Sequence, residues 1–373
     1  MAIIFEDMPT KKGHKKDGPL SDAVLVKILF RLPLDTLCRF RCASKAFRDL
    51  IAGPAFQSAM FLPTVHGLLL RTAAASGGYR YIPTNPGHII HALLASSLLA
   101  IPGHPADIDV LDSCHGLLLY RTFSHPDLFN VYNVTTRQHL VLPLPFLVAG
   151  LDVAGIAFDP RRSRHFKVVL ISKPAFKSRR AFEVYSSERG SWFKPRVPVE
   201  LVDGLPVLPP KKPVFVAGKL HFEALQGKLL RFDFKKEIFD VLPLHRDCVV
   251  DAAWRRFGDC GGSLYHAEYD CSRLRLRVWR LDVHERWVPT YSAVFPPWCT
   301  IKAFHPAVEG YVILSSFDGI YWCHLCTPFV AAGICRFAHE NESRKVGEVF
   351  LIMPNFLYSF PGPDRWWCFS PKS

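Results

Sequence analysis

One pattern restricts the fold of this 373-residue chain more than any other: a glycine followed by an apolar, strand-like run, repeated along the sequence. His66-Gly67-Leu68-Leu69-Leu70-Arg71-Thr72 is nearly reproduced, 49 residues on, as His115-Gly116-Leu117-Leu118-Leu119-Tyr120-Arg121-Thr122. Looser echoes stand at Gly218-Lys219-Leu220-His221-Phe222, Gly262-Ser263-Leu264-Tyr265-His266 and Gly319-Ile320-Tyr321-Trp322. A second element accompanies several of these: a strand, a polar turn, and a strand ending near a proline. Val131 to Gln138 leading to Leu142-Pro143 is one case; Phe232-Asp233-Phe234 to Leu242-Pro243 and Trp279 to Trp287-Val288-Pro289 are others. Units of about 40–50 residues with about four strands have the period of propeller blades. A single blade cannot bury both faces, so the units must pack around a common axis. This predicts an all-β domain over residues 61–373, a propeller of about six blades, with an irregular pair of β-sandwiches as the competing arrangement. Phe166–Ile171, Leu274–Trp279 and Tyr311–Leu314 read as strands within it.

The first sixty residues have a different texture. Residues 1–18 are polar and Lys-rich, and read as a flexible basic tail. From there to residue 58 the spacing turns helical. Ser21 or Asp22 caps a helix whose Val24, Leu25, Ile28, Leu29 and Leu32 share one face, and Pro33 ends it. Asp35 or Thr36 opens a second helix with Leu37 and Phe40; Ser44 opens a third with Phe47, Leu50 and Ile51, closed by Gly53-Pro54. The expected class is therefore α+β by segregated domains. Three short helices bury little on their own, so such a unit needs a partner surface. Ile89–Leu99 is the one other helix candidate, or an insertion between strands.

Residues 19–58 resemble an F-box. The likeness rests on Leu20, Asp22, Leu25, Ile28-Leu29, Arg31-Leu32-Pro33, Leu37, Arg39-Phe40-Arg41, Lys45, Arg48, Leu50-Ile51, Pro54 and Phe56. The segment beyond resembles the F-box-associated β-domains of plant F-box proteins. Asp112-Ser113-Cys114-His115-Gly116-Leu117-Leu118 matches a Ser-Cys-(Asn/His)-Gly-Leu-Leu signature, and Tyr132 to Arg137 an Asn-Pro-Thr-Thr-(Arg/Lys) signature followed by Leu142-Pro143. The match departs at Ser21, where such families carry Pro, at Ala43-Ser44-Lys45 for Val-Cys-Lys, and at Phe47 for Trp. The resemblance implies the substrate-recognition subunit of an SCF-type ubiquitin ligase. Leu20, Leu25, Ile28, Leu29, Leu32, Pro33, Leu37, Phe40 and Phe47 would dock on the Skp-family adaptor, and through it a cullin. The β-domain would hold a target protein.

Chemistry of other kinds has little support. No nucleophile elbow, H-E-x-x-H, P-loop or dinucleotide fingerprint occurs, so the chain reads as a non-catalytic receptor without cofactor. Cys323-His324-Leu325-Cys326 is a C-x-x-C, but on a strand its cysteines face opposite sides, which argues against zinc. The net charge of +13 concentrates in residues 161–212. Arg161, Arg162, Arg164, Lys177, Arg179 and Arg180 could form an anion or target patch, and the interleaved Phe166, Phe176, Phe182, Tyr185, Trp192 and Phe193 allow an alternative reading as a nucleic-acid or acidic-partner binder. Strand-core alternation of those aromatics makes nucleic acid the weaker choice. The longest apolar stretch, Ile89–Ile101, falls short of a membrane span. Eleven scattered cysteines and the absence of a leader-like N-terminus predict reduced thiols and a cytoplasmic or nuclear protein.

Overall fold

A computed structural model describes residues from Asp22 to Met353 with interruptions, the longest at 199–211, 85–93 and 337–345; residues 1–21 and 354–373 lie outside the description. The helical part comprises α1 (Asp22–Leu29) and a second run broken only at Ser44, into α2 (Leu34–Ala43) and α3 (Lys45–Ala52). The third helix therefore starts directly where the second stops. The Ser44 hydroxyl accepts from the Phe47 N–H at 3.2 Å, capping α3 and fixing the break.

The rest is a six-bladed propeller. Blade 1 is β3 (Ile108–Cys114), β4 (Leu117–Thr122), β5 (Leu128–Asn133) and β6 (His139–Val141). Blade 2 is β7 (Leu151–Ala157), β8 (Lys167–Ser172), β9 (Ala181–Ser186) and β10 (Ser191–Phe193). Blade 3 is β11 (Val214–Val216), β12 (Lys219–Ala224), β13 (Lys228–Asp233) and β14 (Ile238–Pro243). Blade 4 is β15 (Arg255–Cys260), β16 (Ser263–Asp270), β17 (Arg275–Leu281) and β18 (Trp287–Val294). Blade 5 is β19 (Thr300–Phe304), β20 (Tyr311–Ser315), β21 (Gly319–His324) and β22 (Ala331–Arg336). Blade 6 joins the two ends of the β-domain: β23 (Val346–Ile352) pairs with β1 (Gly67–Thr72), which pairs with β2 (Gly78–Pro83). The inner strands β3, β7, β11, β15, β19 and β23 neighbour one another in a closed ring.

Each junction between blades has its own apolar cluster. Leu119 and Val131 meet Ile156 and Val168 between blades 1 and 2; Val169 and Val184 meet Phe222 and Phe232 between blades 2 and 3. Leu242 meets Leu264 between blades 3 and 4, and Tyr265 meets Phe304 and Val312 between blades 4 and 5. Ile313 and Ile320 meet Leu68 and Leu70, and Leu69 and Phe350 meet Leu118 and Tyr132, closing the ring. Alternation along each strand explains this, since both faces of every sheet are covered by a neighbour.

The repeated glycines serve different ends. His115 (φ 44°) and Gly116 (φ 88°) form a two-residue left-handed turn joining β3 to β4. Gly67 has no such φ; a Cβ there would collide with the Tyr81 ring, so the glycine admits the neighbouring strand's aromatic. The Gly319 echo is out of phase: it starts the third strand of its blade, whereas the position equivalent to Gly116 is Gly310 (φ 81°), ahead of β20. The polar turns recur as Asx turns. Asn133 Oδ1 accepts from Thr135 and Thr136 N–H, and Asp233 Oδ1 from Lys235 and Lys236 N–H, each before a residue of positive φ, Arg137 or Glu237. The Leu-Pro ends have a shared use too. Pro143 O accepts from Trp192 Nε1 at 2.6 Å, and Pro243 O from Trp287 Nε1 at 3.0 Å, so the outer strand of one blade is tied to that of the next. Of the Ile89–Leu99 candidate, only Leu94, Ala95 and Leu98 are described; they are helical, and Leu94 is buried against blades 6 and 1.

Candidate functional site

Two surfaces stand out as candidates. The first is the helical unit. Leu29, Leu37, Ile51 and Phe56 are buried and form its own core, with Val26, Leu32, Phe40, Phe47 and Leu50 packed against them. Phe40 and Phe47 meet edge-to-face with ring centres 5.0 Å apart. Leu29 and Leu37, both in the expected adaptor-docking set, are 2% and 0% exposed and hold the helices together. Among the described residues of the helices, the large apolar side chains left exposed are Val24 at 42% and Ile28 at 45%, beside the half-buried Leu25, Leu32, Phe40 and Phe47. Leu20 and Pro33 lie outside the described residues. Val24 belonged to the helix-face periodicity but not to the expected docking set. Its place one turn before Ile28 on α1 is the signal that would have found it.

The second surface is the axial cavity, of about 120 Å³, at the end of the ring where inner strands turn into second strands. Asp112 on β3 is its anchor. Its Oδ2 accepts from the Ile156 N–H of the next blade at 2.9 Å and its Oδ1 from Ser113 N–H at 2.7 Å. Lys212 reaches across from blade 3, with Nζ 3.7 Å from Asp112 Oδ1 and donating to Ser113 Oγ at 2.9 Å. The same ammonium lies 5.3 Å from the centre of the Phe350 ring on β23. Burial pushes the Asp112 carboxyl up to about 6 despite Lys212, and pushes Asp259 on β15 up to about 7 against the Gly262 N–H and Arg161. Arg256 and Lys302 complete a wall of mixed charge. These residues carried no signal beyond Asp112's place ahead of Ser113-Cys114-His115-Gly116, because the charged wall is drawn from four separate blades.

That signature itself turns out to be an interblade tie. His115 sits in the left-handed turn and is buried. Burial lowers its pKa, so the imidazole is neutral and its Nδ1–H donates to Phe158 O in blade 2, where Cys114 Sγ also donates at 3.3 Å.

The basic block is partly compensated. Arg161 holds Asp159 with two bonds of 3.0 and 3.2 Å, and Arg162 adds a third contact at 3.4 Å. Lys167 and Arg189 share Glu237, each at 2.8 Å. Arg161, Arg162 and Arg164 are exposed on the loop joining β7 to β8, at the same end of the ring as the cavity. Lys177, Arg179 and Arg180 lie outside the described residues. Cys323 is buried on β21; Cys326 is also outside the description. The described cysteines, Cys114, Cys248, Cys260, Cys271, Cys299 and Cys323, are all free thiols. No described helix is long and apolar enough to cross a membrane.

Comparison with known proteins follows the same division. Residues 19–57 match the F-box domain, and residues 92–256 the F-box associated beta propeller domain. The chain is 30% identical over 307 residues to an F-box protein of Arabidopsis thaliana, covering 74% of this chain and 70% of that protein. An F-box/kelch-repeat protein of the same plant is 23% identical over 279 residues, covering 69% and 73%. Among solved structures, a GH43 protein of Bacillus licheniformis superposes with a TM-score of 0.34 at 10% identity, over 69% of this chain and 57% of that one, a likeness too loose to carry an argument.

Proposed function

The chain belongs to the plant F-box proteins that carry a C-terminal F-box-associated β-propeller, and on that footing we propose that it is the substrate-recognition subunit of an SCF-type ubiquitin ligase. The helical unit docks on the Skp-family adaptor and through it joins a cullin, and the propeller holds the protein to be modified. The chain forms no covalent bond itself, and it works in the cytoplasm or nucleus, where its free thiols stay reduced. The observation that carries this is the division of labour within the helices: Leu29, Leu37, Ile51 and Phe56 serve as internal core while Val24 and Ile28 stay exposed. An apolar pair on so small a unit, next to half-buried aromatics, is the composition of a docking face.

For the target, the reading favours the cavity end of the propeller. Lys212, Arg256 and Lys302 stand there beside the buried carboxyl of Asp112 and the half-buried one of Asp259, with Arg161 and Arg162 exposed on the β7–β8 loop, which suits an acidic or polar segment entering the ring. The pairing of Lys167 and Arg189 with Glu237 weighs against a nucleic-acid surface, which needs uncompensated charge along a track.

The test is a binding assay of the full chain with purified Skp-family adaptor, comparing wild type, Ile28→Asp and Val24→Asp. Each charge should weaken binding by tenfold or more while leaving the thermal transition of the propeller in place. Undiminished binding in both variants would discard this docking face.

A further inference from the structure

The propeller contains a cluster that neither docking nor target recognition uses. His245 and Cys248 follow β14, three positions apart, and the Cys248 N–H donates to His245 O at 3.2 Å, so a tight turn brings the two side chains together. His266 and Glu268 stand two apart on β16, on one face of blade 4. Donor atoms of all four lie within 4.8 Å of one another. His245 Nε2 is 3.2 Å from His266 Nδ1 and 3.9 Å from Glu268 Oε1; His266 Nε2 is 3.5 Å from the same oxygen.

We propose that His245, Cys248, His266 and Glu268 form a binding site for one divalent cation of the zinc class, which fastens the crossover from blade 3 to blade 4. Two ligand pairs from two elements, H-x-x-C on a turn and H-x-E on a strand, are the construction of a structural site. Tetrahedral zinc with bonds of roughly 2.0–2.3 Å places its ligand atoms roughly 3.3–3.8 Å apart, so the separations here need only sub-ångström to ångström adjustment. Imidazole with thiolate selects zinc over calcium or magnesium, which take oxygen ligands.

The surroundings hold the ligands in place. Across the strands, His266 sits between Phe257 and Trp279, and Glu268 between Arg255 and Arg277. Phe257 stacks on His266 with centres 4.5 Å apart, and Trp279 on His245 at 3.8 Å. Arg277 lies 3.5 Å from Glu268 Oε2, leaving Oε1 to the histidines; Arg255 lies 3.5 Å from Glu223 and donates to Cys248 Sγ at 3.5 Å. The two guanidiniums are thus balanced by Glu223 and Glu268 before a cation arrives. On binding, the Cys248 thiol proton leaves to solvent and the thiolate cancels half the cation's charge, with Arg255 as its hydrogen-bond donor.

The experiment uses the full chain, stripped with a chelator and reloaded with Zn²⁺ or Co²⁺ alone. Expected are one metal per chain, a thiolate-to-cobalt charge-transfer absorption, and a rise in the propeller's melting temperature with Zn²⁺. Cys248→Ser should lose the absorption and weaken zinc by 100-fold or more, whereas the exposed Cys271→Ser should change nothing. His245→Asn, on the same turn, gives the second readout should Cys248→Ser not fold. Substoichiometric metal, or an absorption and affinity that survive both Cys248→Ser and His245→Asn, would overturn the site. Adaptor binding is scored separately and does not depend on the outcome.

Discussion

The helical unit and the propeller bury apolar residues on different scales. The propeller has a separate apolar cluster at each of its six junctions, and its ends are sewn together by β23 against β1. The helices share one small cluster of four fully buried side chains and leave Val24 and Ile28 outside. A closed ring packed at every junction completes its core within itself, whereas a unit with so thin a core keeps its spare apolar surface exposed and available for a partner.

Cutting a propeller junction should have the largest effect. Phe232→Ala empties a fully buried site between blades 2 and 3 and should cost about 3–5 kcal/mol in the main thermal or denaturant transition, with adaptor binding retained. Leu37→Ala should cost about 2–5 kcal/mol, but within the helices alone. Adaptor binding should then fall while the propeller's transition stays put; a shift of that transition would mean the two regions unfold as one.

Acidity should separate them further. Asp112 has its carboxyl raised from 3.8 to about 6 by burial, so the folded state favours the protonated form. Its stabilising contribution is complete below about pH 4 and is lost as pH rises through about 6, a change on the order of 1–3 kcal/mol. Asp112→Asn should flatten that part of the propeller's stability profile; an unchanged profile would assign the dependence elsewhere. The smallest effect belongs to a single interblade tie. Trp192→Phe keeps the ring among Phe129 and Tyr185 but removes the donor to Pro143 O, and should cost about 0.5–1.5 kcal/mol in denaturant titration.

How far the sequence could be read differs by element. Blade period, strand alternation and the polar turns around Asn133 and Asp233 are legible because each is local: a turn composition or a period of two needs only neighbouring residues. The copies at Gly67 and Gly116 looked identical yet answer to different constraints, one a ring pressed against the backbone, the other a left-handed turn. The Gly319 echo misled for the same reason, since a glycine before an apolar run marks a strand start without saying which strand. In the helices, 3.6-residue periodicity found the apolar face but could not divide Leu29 and Leu37, which pack inward, from Val24 and Ile28.

By itself, then, the sequence determined the segregation of a small helical unit from a repeated β-domain, the approximate number of blades, and the membership of most apolar residues in some core. Local backbone preference and hydrophobic periodicity suffice for that. Only the tertiary structure decided which side chains share a place. The wall of Asp112, Lys212, Arg256, Asp259 and Lys302 is gathered from different blades by closure of the ring, and His245 and Cys248 meet His266 and Glu268 only because adjacent blades pack face to face. Such coincidences depend on the rotation from one blade to the next, a quantity that no local stretch of sequence encodes.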